Sequence, residues 1–311
     1  MQFPQPVLYD ASRWGHIEVS DSDRLTFLHN QSTNGFKLLK VADICETTFL
    51  TSTARTIDLA TAYILEDRVL LTVSPNGAEP LIKFLDRYIF FADKVTLKDV
   101  SAETTLFRIL GETSGEYLAS LGLELPTEGY VKTTIADTEV LITASSGIGL
   151  PGYSLVLPAI AANTVKAALN LEPCTDAQWE TLRIQQGRPM PGQELTSDFN
   201  PLESGLWHTI SFVKGCYIGQ ETIARLDTYK GVKQQLWGFD LPSPVEVGTA
   251  IFAIEDAEAK IGTVTSVVDT EEGAIGLAYV RTKAGGAGTV VRIGDRETTL
   301  RDLPYLTRDK V

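Results

Sequence analysis

The sequence predicts an α+β protein of more than one domain, closed at its C-terminal end by a small β-barrel. Three observations carry that prediction. Strand and helix periodicities alternate as far as Lys233. From Gln234 the pattern changes to short strands separated by Gly, Pro and Asp turns, with no long helix. The chain has 311 residues, too many for one small core.

The elements follow in order. WGHIEVS alternates apolar and polar residues as a half-buried strand does. Ser22 is placed to cap the following helix, DRLTFLHNQ, in which Leu25 and Leu28 share a face. Between Thr47 and Ser101 the pattern reads strand, strand, a turn at Glu66 and Asp67, strand, helix, strand. That helix, NGAEPLIKFLDRYIFF, carries Leu81, Leu85, Tyr88 and Ile89 at helical spacing. Further strands read at TLFRIL, EVLITA and YSLVLP, with helices at GEYLASL and ANTVKAALN. The helix DAQWETLRIQQ begins after Thr175 and stops against Gly187 and Pro189. The glycine-rich AGGAGT at 284–289 precedes a strand and reads as a turn.

Composition narrows the function classes. A hydrophobic content of 43% with 22% charged residues is that of a folded chain. The net charge of −13 argues against DNA or RNA binding driven by phosphate neutralisation. Cys45, Cys174 and Cys216 are odd in number and form no C-x-x-C pair, which excludes a disulfide framework and suits a reducing, cytoplasmic setting. MQFPQPVLYD lacks the basic and apolar regions of a signal peptide. No apolar run approaches the roughly 20 residues of a membrane span, so no membrane partner is expected. His16, His29 and His208 have no metal-spaced partner, and neither a G-x-G-x-x-G nor a P-loop pattern occurs.

One stretch stands apart. KGCYIGQE, residues 214–221, places Cys216 between glycines, behind Lys214 and ahead of a helix starting near Gln220. Gly215 and Gly219 allow a tight turn and close approach of a ligand. A helix N-terminus and an ammonium both favour a thiolate over a thiol. Lys214, Arg225, Lys230 and Lys233 against Glu221 and Asp227 leave a local charge of +2 on an acidic chain, a seat for a small anionic ligand.

KGCYIGQE followed by ARLDTYKGVKQQLWGFDL resembles the signature of the YgfZ-type folate-binding proteins, relatives of the glycine-cleavage T-protein (aminomethyltransferase) that support iron–sulfur enzymes. WGHIEVSDSDRLTFLHNQSTN, FLTSTARTIDLATAYILEDRVLLTV and LRIQQGRPMPGQELTSDFNPLESGL are similar to further segments of that family, in its order. The resemblance implies a three-domain cloverleaf around tetrahydrofolate. Its domains would be residues 1–46 plus 140–232 for folate binding, an inserted α+β domain at 47–139, and the β-barrel at 233–311. It implies folate and iron–sulfur client or assembly proteins as partners.

By the same resemblance, Cys216 and Lys214 form the working pair, with Lys214 poising the thiol. Tyr217 packs or hydrogen-bonds at the cavity rim, Gln220 and Glu221 fix the loop by capping the helix, and Arg225 attracts the folate's glutamate carboxylates. Asp58 stands alone where the transferase carries two aspartates, Ala54 replaces a glycine, and Gln185 replaces the glutamate that grips the pterin. A glutamine offers one carbonyl acceptor and no charge. Those departures favour the accessory-factor reading over an active aminomethyltransferase. A non-catalytic protein-interaction module is the third alternative.

Overall fold

The structure is a computed structural model describing residues 3–256 and 258–310; Met1, Gln2, Ala257 and Val311, and whatever the sequence reading says of them, lie outside it. The chain divides into two compact units. One comprises the chain up to Phe49, Asp58–Asp176 and Thr209–Ile218; the other comprises Leu50–Ile57, Ala177–His208 and the chain from Gly219 on.

The first unit holds two sheets. In chain order its elements are β1 (Val7–Asp10), β2 (Trp14–Ser20), α1 (Arg24–Gln31), β3 (Ile44–Leu50), β4 (Thr56–Ile64), β5 (Arg68–Pro75), α2 (Ala78–Asp86), β6 (Thr96–Asp99), β7 (Thr104–Leu110), α3 (Ser114–Ser120), β8 (Tyr130–Ile135), β9 (Thr138–Thr143), β10 (Gly152–Pro158), α4 (Ala162–Leu169) and β11 (Glu172–Cys174). One sheet runs β3-β4-β5-β2-β6 and the other β11-β1-β7-β10-β9-β8. Along β2 the expected alternation holds only toward the end, where Val19 is buried between Glu18 and Ser20. Trp14 to Ile17 are all buried, His16 included, so the start of the strand is covered on both sides, and α2 buries Leu81 and Leu85. On the second sheet, Phe107, Ile109, Val140 and Ile142 pack with Leu118 of α3 and with Val165 and Leu169 of α4.

Two local expectations are corrected. Asp23, not Ser22, precedes α1, and neither caps it through a side chain: the Asp23 carboxylate accepts the Lys94 backbone N–H instead, at 2.9 Å. α2 stops at Asp86 and does not reach Phe91. The Tyr88 and Ile89 amides bond back three residues, to Leu85 and Asp86, so the helix tightens and ends despite its helical spacing.

Beyond Leu50–Ile57, the second unit holds α5 (Asp176–Gln186, from Ala177 on) and α6 (Gln220–Thr228) and continues into β12 (Gln234–Leu241), β13 (Ala250–Ala253), β14 (Lys260–Thr270), β15 (Gly273–Arg281), β16 (Val290–Ile293) and β17 (Arg296–Thr299). These strands form one antiparallel sheet in the order β12-β15-β14-β13-β16-β17. Its two ends meet: Gly238 bridges Arg301, and the Thr298 hydroxyl donates to the Asp240 carbonyl at 2.6 Å. The barrel-like curl read from turn spacing is therefore present, with Phe239, Ile251, Val280, Val291 and Ile293 at its core. Residues 284–289 form the turn expected before β16. Among the described residues no helix is long and apolar enough to cross a membrane.

Candidate functional site

The octapeptide is shared between the two units: Lys214 to Ile218 belong to the first, and Gly219 onward to the second. In the first unit the segment lies along the end of α1. The Ser211 amide donates to the Thr33 carbonyl and the Ile218 amide to the Asn30 carbonyl, at 3.0 and 3.1 Å. This pairing leaves Gly215 and Cys216 exposed at the tip while Tyr217 is buried. Of the three thiols, Cys45 and Cys174 are buried and burial pushes them up to about 12 and about 11; Cys216 alone is exposed. That much of the sequence expectation is met.

Lys214 does something else than expected. Its ammonium reaches back beneath the loop and donates to three main-chain carbonyls, of His29, of Ser32 (2.7 Å) and of Asn34 (2.7 Å). The ammonium also sits 4.5 Å from the centre of the Tyr217 ring. The His29 carbonyl is one that the last turn of α1 leaves without an intrahelical partner, and those of Ser32 and Asn34 follow the helix, so Lys214 ties the helix end to the chain just after it. Burial pushes it down to about 7, with Cys45 opposing and Lys37 reinforcing that fall. Its charge is engaged by the main chain rather than offered to Cys216. His29 completes the cluster: its Nδ1 accepts the Phe36 amide at 3.2 Å, so the neutral ring carries its proton on Nε2. Burial, Lys214 and Lys37 all hold the imidazole below its ordinary range.

Asp58 lies in β4 and is buried. Its Oδ1 accepts the Ser74 hydroxyl at 2.6 Å and the Leu59 amide at 2.8 Å, and its Oδ2 accepts the Ser74 amide at 3.1 Å. A Cβ on Gly77, the residue before α2, would come within 2.7 Å of Oδ2. The carboxylate thus ties β4 to the end of β5 and stands against the positive N-terminal end of α2.

In the second unit Gly219 precedes α6 with φ +81, a left-handed conformation natural to glycine. No side chain caps that helix. Gln220 and Glu221, expected to do so, form its first turn, where the Glu221 charge complements the dipole. A Cβ on Gly219 would meet the Thr51 carbonyl at 2.9 Å and Ala54 Cα at 3.2 Å, so the helix start rests on the turn between β3 and β4. In that turn Ala54, aligned by resemblance with a glycine, has φ +58 and is fully buried. The structure thus brings two of the motif segments together: the Thr51–Ala54 turn and the head of α6. Gln185 is half-buried on α5, its carbonyl accepting Arg301 at 3.0 Å, and Arg225 is exposed on α6.

The sequence reading missed the charged cluster behind Gln185. Arg183 is fully buried and pairs with Glu180 and, at 3.1 Å, with the equally buried Glu194. It also donates to the Gln193 amide oxygen (2.5 Å) and Ser266 (2.9 Å), while Glu194 accepts from Thr265 (2.7 Å) and Ser266 (2.5 Å). This network fastens the residues after α5 to β14. A fully buried arginine facing a glutamate eleven residues on is the available signal, but nothing in the helical pattern announces it. Glu203 is a further buried carboxylate, held above its usual range by burial, although the Asn200 amide and Arg55 pull it down.

The GCVT N-terminal domain matches residues 5–214. A chloroplastic protein of Arabidopsis thaliana, named only as a transferase, is 41% identical, covering 97% of this chain and 72% of that one. Aminomethyltransferases of Bacillus pumilus and Bacillus velezensis are 26% and 27% identical, each over 94% of this chain and 84% of their own. The glycine cleavage system aminomethyltransferase T of Bartonella henselae has the same fold, with a TM-score of 0.83 over 98% of this chain and 87% of that one, at 22% identity.

Proposed function

The chain belongs to the GCVT N-terminal domain family, and from that premise we propose that it is a tetrahydrofolate-binding accessory protein of the YgfZ type, serving assembly or repair of iron–sulfur clusters in the cytoplasm. The observation that carries the reading is the contrast among the thiols: Cys216 alone is exposed, at the tip of a glycine-bearing loop whose base is held by Lys214. A soft, exposed sulfur can meet a client protein or a cluster; the two buried ones cannot.

The folate's donor set matches part of the residues named. Gln185 presents an amide with both a donor and an acceptor to a pterin edge. Arg225 is exposed and suits a glutamate carboxylate. Tyr217 supports the loop from beneath rather than contacting the ligand through its hydroxyl, which burial keeps protonated. Gln220 and Glu221 order the head of α6. Asp58 fits such a role least, because its oxygens already accept three protein donors. When bound, folate would supply or accept one-carbon units, and the chain's own residues would orient it.

Aminomethyl transfer is the second reading, favoured by the names of relatives that match 94% of this chain. Calorimetric titration with tetrahydrofolate tests the folate step, with saturable binding weakened by Arg225→Glu as the expected result. Iodoacetamide labelling of the native protein should modify Cys216 and spare Cys45 and Cys174. Client iron–sulfur enzyme activity should fall in cells carrying Cys216→Ser. Turnover in a reconstituted glycine-cleavage assay would replace this reading by the second, and absence of folate binding would remove both.

A further inference from the structure

One face of the first unit carries a knob on a loop and, beside it, a hole between that loop and α1. α2 ends at Asp86, and β6 begins only at Thr96. Between them Phe91 stands entirely in solvent and Phe90 is 70% exposed. This exposure is not slack. The Phe90 amide donates to the Asp93 carboxylate at 2.8 Å and the Asp93 amide returns to the Phe90 carbonyl at 2.9 Å. In the same reciprocal way the Lys94 amide donates to the Asp23 carboxylate and the Asp23 amide to the Lys94 carbonyl. A built turn therefore presents two adjacent aromatic rings to water, where contiguous apolar surface marks an interaction site.

Beside the knob is a cavity of about 310 Å³ whose lining is apolar at Phe27, Tyr88, Phe90 and Val95 and otherwise polar, Asp23 and Asp93 supplying its negative charge. The apolar part suits an aromatic ring and the carboxylates suit a cation. The loop owns both: Phe91 is the ring, and Arg87, stacked 4.7 Å from the centre of the Phe84 ring, is the cation. A bilayer is a poor occupant, since Asp86 and Asp93 cancel Arg87 and Lys94, and a chain of net charge −13 is repelled by anionic lipid. A two-fold interface, by contrast, requires one patch to carry both halves of each contact. We propose that this loop pairs with the same loop of a second copy, each Phe91 entering the other's aromatic hole and each Arg87 facing the other's Asp23 and Asp93.

Two phenylalanine rings bury on the order of 300–500 Å², a fraction of the roughly 1,200–2,000 Å² of a standard interface. The pairing is accordingly weak and concentration-dependent. Sedimentation velocity on the full chain across a micromolar concentration series tests it. Dimer is expected to accumulate with concentration. Phe91→Asp removes the knob, and Thr26→Trp, on the exposed side of α1 at the mouth of the hole, fills the hole; each alone should raise the dimer dissociation constant at least about tenfold. Mixing the two variants should restore association above that of either alone, because one intact knob then meets one intact hole. Monomer at every concentration overturns the proposal, as does a dimer indifferent to both variants or no recovery on mixing. Co-sedimentation of a monomeric protein with phosphatidylcholine–phosphatidylglycerol vesicles, lost in Phe91→Asp, would overturn it in favour of a membrane.

Discussion

The stretch around Lys214 and the stretch around Arg183 each bury a cation, and they neutralise it in opposite ways. Lys214 is held by neutral main-chain carbonyls, and with no carboxylate among the described residues paired to it burial carries it down to about 7. Burial works against Arg183 too, but Glu180 and Glu194 outweigh it and hold the guanidinium above its ordinary value. The first stretch is built from main-chain geometry, the second from side-chain charge. The first therefore tolerates changes of side-chain charge around it but not of backbone shape, and the second the reverse.

The largest effect is expected at Arg183. Arg183→Met keeps an unbranched apolar stem in α5 but leaves Glu194 buried without its cation, and such breakage costs about 3–5 kcal/mol. Urea unfolding should show that loss. Adding Glu194→Gln should return a good part of it, because the orphaned charge is then gone. If the double variant is no better than the single one, charge pairing is not what holds this stretch.

Lys214→Met removes three donors and strands the carbonyls of His29, Ser32 and Asn34, at a cost of about 3 kcal/mol. Its pH dependence sharpens the comparison. The folded-state value near 7 lies below the 10.5 of an unperturbed lysine. Between those values the unfolded chain binds a proton that the folded chain does not, so stability rises with pH there. Thermal melts from pH 7 to 10 should show the native protein gaining on Lys214→Met. A flat difference would mean that the three carbonyls hold the ammonium as firmly as carboxylates do.

What could be read in the sequence follows the same division. The helix start at Gln220, the glycine before it, the exposed Cys216 and the curl of the last six strands are local or periodic features, and pattern alone reaches them. The missed strands are short or lack a clear alternation: β1 has four residues behind two prolines, and in β8 the interior residues 131–134 are all at least partly exposed. The direction of Lys214 was out of reach, because its acceptors lie about 180 residues away in carbonyls that have no sequence signature. The Arg183–Glu194 cluster likewise depends on Ser266, 72 residues beyond Glu194. Asp58 was legible as the lone acid of a motif but not as the buried tie between β4, β5 and α2, which needs Ser74 in place.

Gly219→Ala probes the main-chain side directly. A side chain there is strained by φ +81 and also driven against the Thr51 carbonyl at 2.9 Å, and backbone does not move aside cheaply. A loss of about 2 kcal/mol is expected by chemical denaturation. A neutral result would show that the turn yields, and the claim that backbone shape governs this stretch would fail.

The smallest effect is expected at the partner position, Ala54→Gly, where opposing contributions can be set against each other. Relieving an alanine from φ +58 is worth about 1–2 kcal/mol. Against this stand a fully buried methyl, about 0.8 kcal/mol, and the extra freedom glycine gives the unfolded chain, about 0.4–1 kcal/mol. The two sides nearly cancel, so the midpoint of unfolding should move little in either direction. Near-neutrality here beside a clear loss at Gly219 would locate the constraint in the close approach at the head of α6 rather than in left-handed geometry as such, since both residues share that geometry. A large stabilisation would mean that Ala54 is strained and its methyl packs poorly; a large destabilisation would mean that the methyl, and not the path of the chain, holds the turn together.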